Sequence, residues 1–157
     1  MTRVARASAT FSGQVPAPAP DVFDLLTDWG GVTKWAPPEV AAMIGRIDLE
    51  GDPAALPLTR IVHTPQGHVI RETLLMKDAD AGRIYYSLGD GGMPGLRNYV
   101  ATATMDPTGD GGCTMTFSST FDVDDPGMGA SGGQQMMEAM YRGLISGLSA
   151  YFARAAA

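Results

Sequence analysis

The sequence predicts an α+β fold in which a curved, seven-stranded antiparallel sheet wraps around one long C-terminal helix. Three observations predict it. From about residue 40 to residue 123, short apolar runs are broken by turn residues roughly every ten positions, the punctuation of an antiparallel meander. Residues 134–154 contain neither Pro nor Asp and carry apolar side chains at helical spacing. Ahead of the meander lie one loosely alternating segment and two short helical ones. The 157 residues suit a single domain, 1–157, with no internal repeat and no linker.

The elements follow in order. Residues 3–12 alternate between small apolar and polar residues and stop at Gly13 and a Pro-Ala run, which reads as a strand and a turn. Pro20 and Asp21 open a short amphipathic helix through Val22, Leu25, Leu26 and Trp29, closed by Gly30-Gly31. A further helical turn around Val32–Trp35 stops at Pro37-Pro38. Strands are expected at about 40–48, 57–64, 67–77, 82–88, 97–106 and 112–123. Pro65-Gln-Gly67 and Asp106–Gly112 mark tight hairpins. In the last strand Cys113, Met115, Phe117, Ser119 and Phe121 alternate with a threonine/serine face. On the final helix Met136, Met137, Met140, Tyr141, Leu144, Gly147, Leu148, Tyr151 and Phe152 fill a stripe of roughly 160°. That is wider than one packing partner requires, so sheet and helix are expected to close a hollow between them.

Composition narrows the function. Seventeen acidic against eleven basic residues give a net charge of −6, and no Lys/Arg run offers a footprint for phosphate backbones or anionic lipid surfaces. Nucleic acid is therefore not an expected partner. No stretch approaches the about 18 apolar residues of a membrane span. The lone Cys113 and the polar breaks within Met1–Gln14 point to a cytoplasmic protein without internal disulfides. Ten methionines supply flexible, polarizable side chains of the kind that line irregular cavities.

Several segments together carry a family resemblance: Val22-Phe-Asp-Leu-Leu-Thr-Asp-Trp29 with Trp35-Ala-Pro-Pro38, Ile70-Arg-Glu-Thr-Leu-Leu75, Ile84-Tyr-Tyr-Ser-Leu88, Pro94-Gly-Leu-Arg-Asn-Tyr-Val-Ala-Thr102 and Phe117–Phe121. In order and spacing they resemble the START-like, birch-pollen-allergen-like superfamily with the helix-grip fold (SRPBCC), which includes polyketide cyclase/dehydrase-type proteins. The resemblance covers nearly the whole chain. It implies a cavity for a hydrophobic small molecule such as a lipid, polyketide or aromatic, and no cofactor. The chain is also similar to the plant abscisic-acid receptors, whose gate and latch loops would correspond to Thr64–Gly67 and Gly89–Gly95. The hormone-anchoring lysine and glutamate positions of those receptors fall here on Pro37 and Phe117, so abscisic acid is not the expected ligand.

The resemblance implies a ligand site formed by Trp35, Glu72, Leu74, Met76, Tyr86, Leu88, Arg97, Tyr99, Met115, Phe117, Met136, Met140 and Leu144. An ionised Glu72 among apolar side chains would cost several kcal/mol unless a partner such as Arg97 or Tyr99 met it. As a ligand anchor, Glu72 could become Gln with stability held or raised; as a structural residue, it could not. The sequence leaves both open. If the protein is an enzyme of the cyclase/aromatase or dehydratase kind, Glu72 or His63 moves the proton and Tyr99 or Arg97 holds the enolate oxygen. His63 and His68 lie five residues apart without a third ligand nearby, so no metal is expected. Gly89-Asp-Gly-Gly-Met-Pro-Gly95 lies between strands and reads as a flap rather than a phosphate loop. This flap and an edge strand are the two candidate surfaces for a homodimer.

Overall fold

The computed structural model describes residues 4–157. Seven strands form one antiparallel sheet in the spatial order β1-β7-β6-β5-β4-β3-β2. They are β1 (Ala5–Val15), β2 (Arg46–Glu50), β3 (Leu58–His63), β4 (Val69–Asp78), β5 (Arg83–Leu88), β6 (Leu96–Pro107) and β7 (Cys113–Val123). Helices α1 (Ala19–Thr27) and α2 (Pro38–Ala41) flank a 3-10 turn at Val32–Lys34, and α3 (Gly129–Ala155) ends the fold. Only β1–β7 joins strands distant in sequence; every other pairing is a hairpin or meander step, as the turn punctuation requires.

Departures from the sequence expectation have local causes. Arg3, the expected start of the first strand, lies outside the described residues, and β1 runs on through Gly13 to Val15 because β7 offers it an unbroken partner. Gly13 suits a strand here for a packing reason: a Cβ at that position would sit 2.9 Å from Ile145 Cγ2 of α3. The strand expected over 40–48 begins instead as helix. Pro38 stands in the first turn of α2, where its missing N–H costs nothing, and β2 starts only at Arg46. The C-terminal helix begins five residues earlier than its apolar pattern, through Gly129, Gly132 and Gly133. Gly133 is needed there, since a Cβ would lie 2.8 Å from Val123 Cγ2 and 3.0 Å from Phe121 Cε2.

The core lies on the concave face of the sheet. On β7 every second residue from Cys113 to Val123 is buried, and Met137, Tyr141, Ile145 and Leu148 of α3 pack down on that side. At 25 cal/mol per Å², each such fully buried large side chain contributes about 2 kcal/mol. Two irregularities, at Leu74/Met76 in β4 and Arg97/Val100 in β6, disturb the register and add curvature. No helix of the described residues is long and apolar enough to cross a membrane.

Candidate functional site

A cavity of about 240 Å³ lies between α3 and strands β3–β6. Arg60, Val62, Ile70, Glu72, Ile84, Tyr86 and Tyr99 form its sheet wall, and Met137, Met140, Tyr141 and Leu144 its helix wall. Trp29, Val32 and Trp35 close one side, with Val40, Met43 and Ile44 beyond them. Gly92, Met93 and Pro94 of the flap border it too, and His68 Nε2 reaches the Gly92 carbonyl at 3.3 Å, tying the β3–β4 turn to the flap.

Of the residues expected from the sequence, Trp35, Glu72, Tyr86, Leu88, Tyr99, Phe117, Met140 and Leu144 stand in this wall. The others do not, each for a geometric reason. Leu74 and Met115 are fully buried but belong to the packed core rather than the cavity lining. The irregularity after Leu74 reverses the alternation of β4, so Met76 pairs with Tyr85 on the convex face and is 37% exposed. Met136 lies one position off the helix face that lines the cavity, and Met137 takes its place. Arg97 sits at the β6 irregularity beside Asn98, whose φ of 54° is left-handed. Its side chain is 55% exposed, 3.9 Å from both Asp90 and Asp124.

His63 also falls outside. Arg60 and Val62 point inward on β3, so His63, one residue further, points away from Glu72. Its Nε2 lies 2.9 Å from Asp48 Oδ2 and 3.2 Å from Arg46 Nη2. Hydrogen bonds from Arg46 and then His63 hold the exposed Asp48 carboxyl below its usual range. The two histidines thus serve different neighbours, His63 an acidic side chain and His68 the flap.

The partner of Glu72 is Arg60, directly opposite it in the β3–β4 register. Arg60 donates Nε to Oε1 at 3.3 Å and Nη2 to Oε2 at 3.2 Å, so both carboxylate oxygens are engaged. The pair is largely withdrawn from solvent, with side-chain exposures of 10% and 22%. Trp29 completes the unit. Its ring lies 3.8 Å beneath the guanidinium, its carbonyl accepts from Arg60 Nη1 at 3.3 Å, and its Nε1 donates to the Glu72 carbonyl at 3.0 Å. The cavity therefore contains opposite charges that satisfy each other.

The second polar feature is a chain of hydroxyls. Tyr141 donates to Ser119, which commits its single proton, so the bond between Tyr99 and Tyr141 has Tyr99 as donor. Burial pushes the Tyr86, Tyr99 and Tyr141 hydroxyls above the usual tyrosine range. All three stay neutral at physiological pH.

A curved sheet gripping a long helix over an apolar cavity defines a START-like, helix-grip protein, a hydrophobic-ligand-binding fold. The chain belongs to the polyketide cyclase/dehydrase and lipid transport family, whose model matches residues 6–153. Solved structures agree on the fold. A protein from Thermobifida fusca superposes with a TM-score of 0.72 at 23% identity, covering 92% of each chain. One from Nitrosospira multiformis gives 0.71 at 20% identity, over 92% of this chain and 95% of that one. Norcoclaurine synthase from Thalictrum flavum, in complex with dopamine and hydroxybenzaldehyde, gives 0.70 at 17% identity, over 96% and 88%. No curated protein sequence matches the chain.

Proposed function

We propose that this protein binds a small, mostly apolar molecule of lipid, polyketide or aromatic type in the cavity beneath α3. The observation that carries the reading is the cavity's composition. Its wall is apolar apart from the Arg60–Glu72 pair and neutral hydroxyls, and it is bordered by a glycine-rich flap. Such a surface gains by excluding water from a greasy ligand and penalises a strongly hydrated one. The free, buried Cys113 suits a reducing compartment, the cytoplasm.

Catalysis by acid/base chemistry has weaker support. Both oxygens of Glu72 are engaged by Arg60, His63 and Arg97 lie on the outer surface, and the Tyr99 proton is committed to Tyr141. A base held by a guanidinium and a donor already in use are poorly placed to move protons.

Titration with tetralin, followed through the methyl resonances of Met137 and Met140, tests the binding reading. Saturable shifts are expected in the wild type and a loss of affinity of at least tenfold in Leu144→Trp, which fills the cavity. Shifts that never saturate, or affinity that survives the filled cavity, would overturn it.

A further inference from the structure

The two edges of the sheet differ in what covers them. The β1 edge has α3 packed along it, and Ser149 Oγ of that helix donates to the Gln14 carbonyl. The β2 edge has no such cover. Among the described strands and helices, only β3 packs closely on β2.

The hydrogen-bond pattern shows which groups this leaves bare. The Thr64 N–H bonds the His68 carbonyl at 2.9 Å, so along β3 the even-numbered residues spend their backbone groups on β4 and the odd-numbered ones on β2. Thr59, Ile61 and His63 thus face Glu50, Asp48 and Arg46. The backbone groups of Ile47 and Leu49 point away from the sheet, and among the described residues no hydrogen bond from another element reaches them. Leu49 and the nearby Met43 are exposed as well. An edge with free amides and carbonyls beside exposed apolar side chains is a template for a further strand.

The side chains specify which strand. In an antiparallel pair of two β2 strands, residues with outward backbone groups must stand opposite each other. Centring the pair on Ile47 puts Ile47 opposite itself and Leu49 opposite the partner's Gly45, whose missing side chain makes room for it. The same register sets Arg46 opposite the partner's Asp48, twice, at the closely spaced positions of the ladder. Both side chains are exposed, and Arg46 Nη2 already lies 3.0 Å from its own Asp48, so two arginines and two aspartates would close a ring. The alternative register, centred on Asp48, sets two aspartates against each other and is disfavoured. Charges that would turn away most strands therefore suit a copy of this one.

We propose that β2 is a homodimer interface: two copies pair antiparallel about Ile47, joining their seven-stranded sheets into one, with Arg46–Asp48 pairs across the two-fold axis. The inference is independent of what the cavity holds. A five-residue strand makes an interface below the about 1,200 Å² of stable complexes, so the pairing is weak and concentration-dependent.

Sedimentation equilibrium from about 10 μM to about 1 mM should show the wild type passing from one chain mass toward two, and less so at high salt. Asp48→Arg and Arg46→Asp should each weaken the dimer about tenfold or more, because each sets like charges opposite one another across the axis. A 1:1 mixture of the two variants should recover it, since every opposed pair is then an arginine with an aspartate. In the wild type alone, the Ile47 and Leu49 amide signals should shift with concentration while those of β1 and of the 89–95 flap hold still, which tests the proposal even if a variant fails to fold. A monomer at every concentration overturns it. So do single variants that pair as well as the wild type, a mixture that pairs no better than its parts, and concentration-dependent shifts confined to the flap.

Discussion

Helix α3 meets the sheet in two contrasting ways. Toward β1 and β7 it lies pressed against the strands: Gly13 and Gly133 leave no room for a Cβ, Ser149 Oγ donates to the Gln14 carbonyl at 2.8 Å, and Phe117 stacks on Tyr141 with ring centroids 5.3 Å apart. Toward β3–β6 the same helix stands clear, and the cavity occupies the wedge. Both regions are largely apolar, so hydrophobicity does not set them apart. Small residues bring backbones together on one side, while Met137, Met140 and Leu144 face large side chains across a gap on the other. A hollow can persist because the helix is anchored along one flank.

The largest effect that would break this comparison comes from the polar unit on the hollow side. Arg60→Met leaves a largely buried carboxylate unpaired and should cost about 3 kcal/mol in urea unfolding, whereas Arg60→Met with Glu72→Met should recover most of the loss. Glu72→Gln should likewise lower stability, because Arg60 loses its counter-charge. A Glu72→Gln protein as stable as wild type would show that the pair is not what holds the open side together.

Next in size is an anchoring glycine. A Cβ on Gly147 would sit 2.5 Å from the Trp35 carbonyl oxygen and 3.0 Å from Pro37 N, backbone atoms that cannot swing aside. Gly147→Ala should therefore destabilise by about 2 kcal/mol despite its better helix propensity. One turn earlier, a Cβ on Gly143 would meet nothing nearer than 3.5 Å, so Gly143→Ala should be neutral or stabilising by up to about 1 kcal/mol. Paired thermal melts check the contrast, which fails if both variants move in the same direction.

The smallest effect at working pH concerns the tyrosines. Burial raises the folded-state values of Tyr86, Tyr99 and Tyr141 above the ordinary 10.0, so the folded protein keeps protons that the unfolded chain releases. Their contribution is complete below pH 10 and is lost as pH climbs toward the folded values. Tyrosinate absorbance should show these three of the five tyrosines ionising only together with unfolding.

The fold was legible because turns are chemically explicit. Pro65-Gln-Gly67 fixes one hairpin, and the described strands from β3 to β7 fall within two residues of their expected positions. The hairpin also carried a signal for the partner of Glu72: with His63 opposite Val69, stepping back along both strands puts Arg60 opposite Glu72. Other features left no such mark. Leu74-Leu75-Met76 is apolar throughout, so nothing in it says where the alternation of β4 reverses. Asn98 tolerates a left-handed φ but does not demand one, so the outward turn of Arg97 was hidden. The apolar run from Val40 to Ile44 reads equally as strand or helix, and Pro38 at a helix start settled it. That the buried Trp35 Nε1 has no hydrogen-bond partner is a property of packing that no spacing rule reaches.

The bond between His68 and the Gly92 carbonyl bears on time rather than affinity. It joins two loops beside the cavity and touches nothing inside it. A contact that holds the flap down equally well whether or not a guest is present drops out of the equilibrium constant and remains in the barrier that entry and exit both cross. Loosening it should quicken arrival and departure in the same proportion. For a guest that passes the flap, residence time would then be adjustable at His68 independently of how well that guest fits.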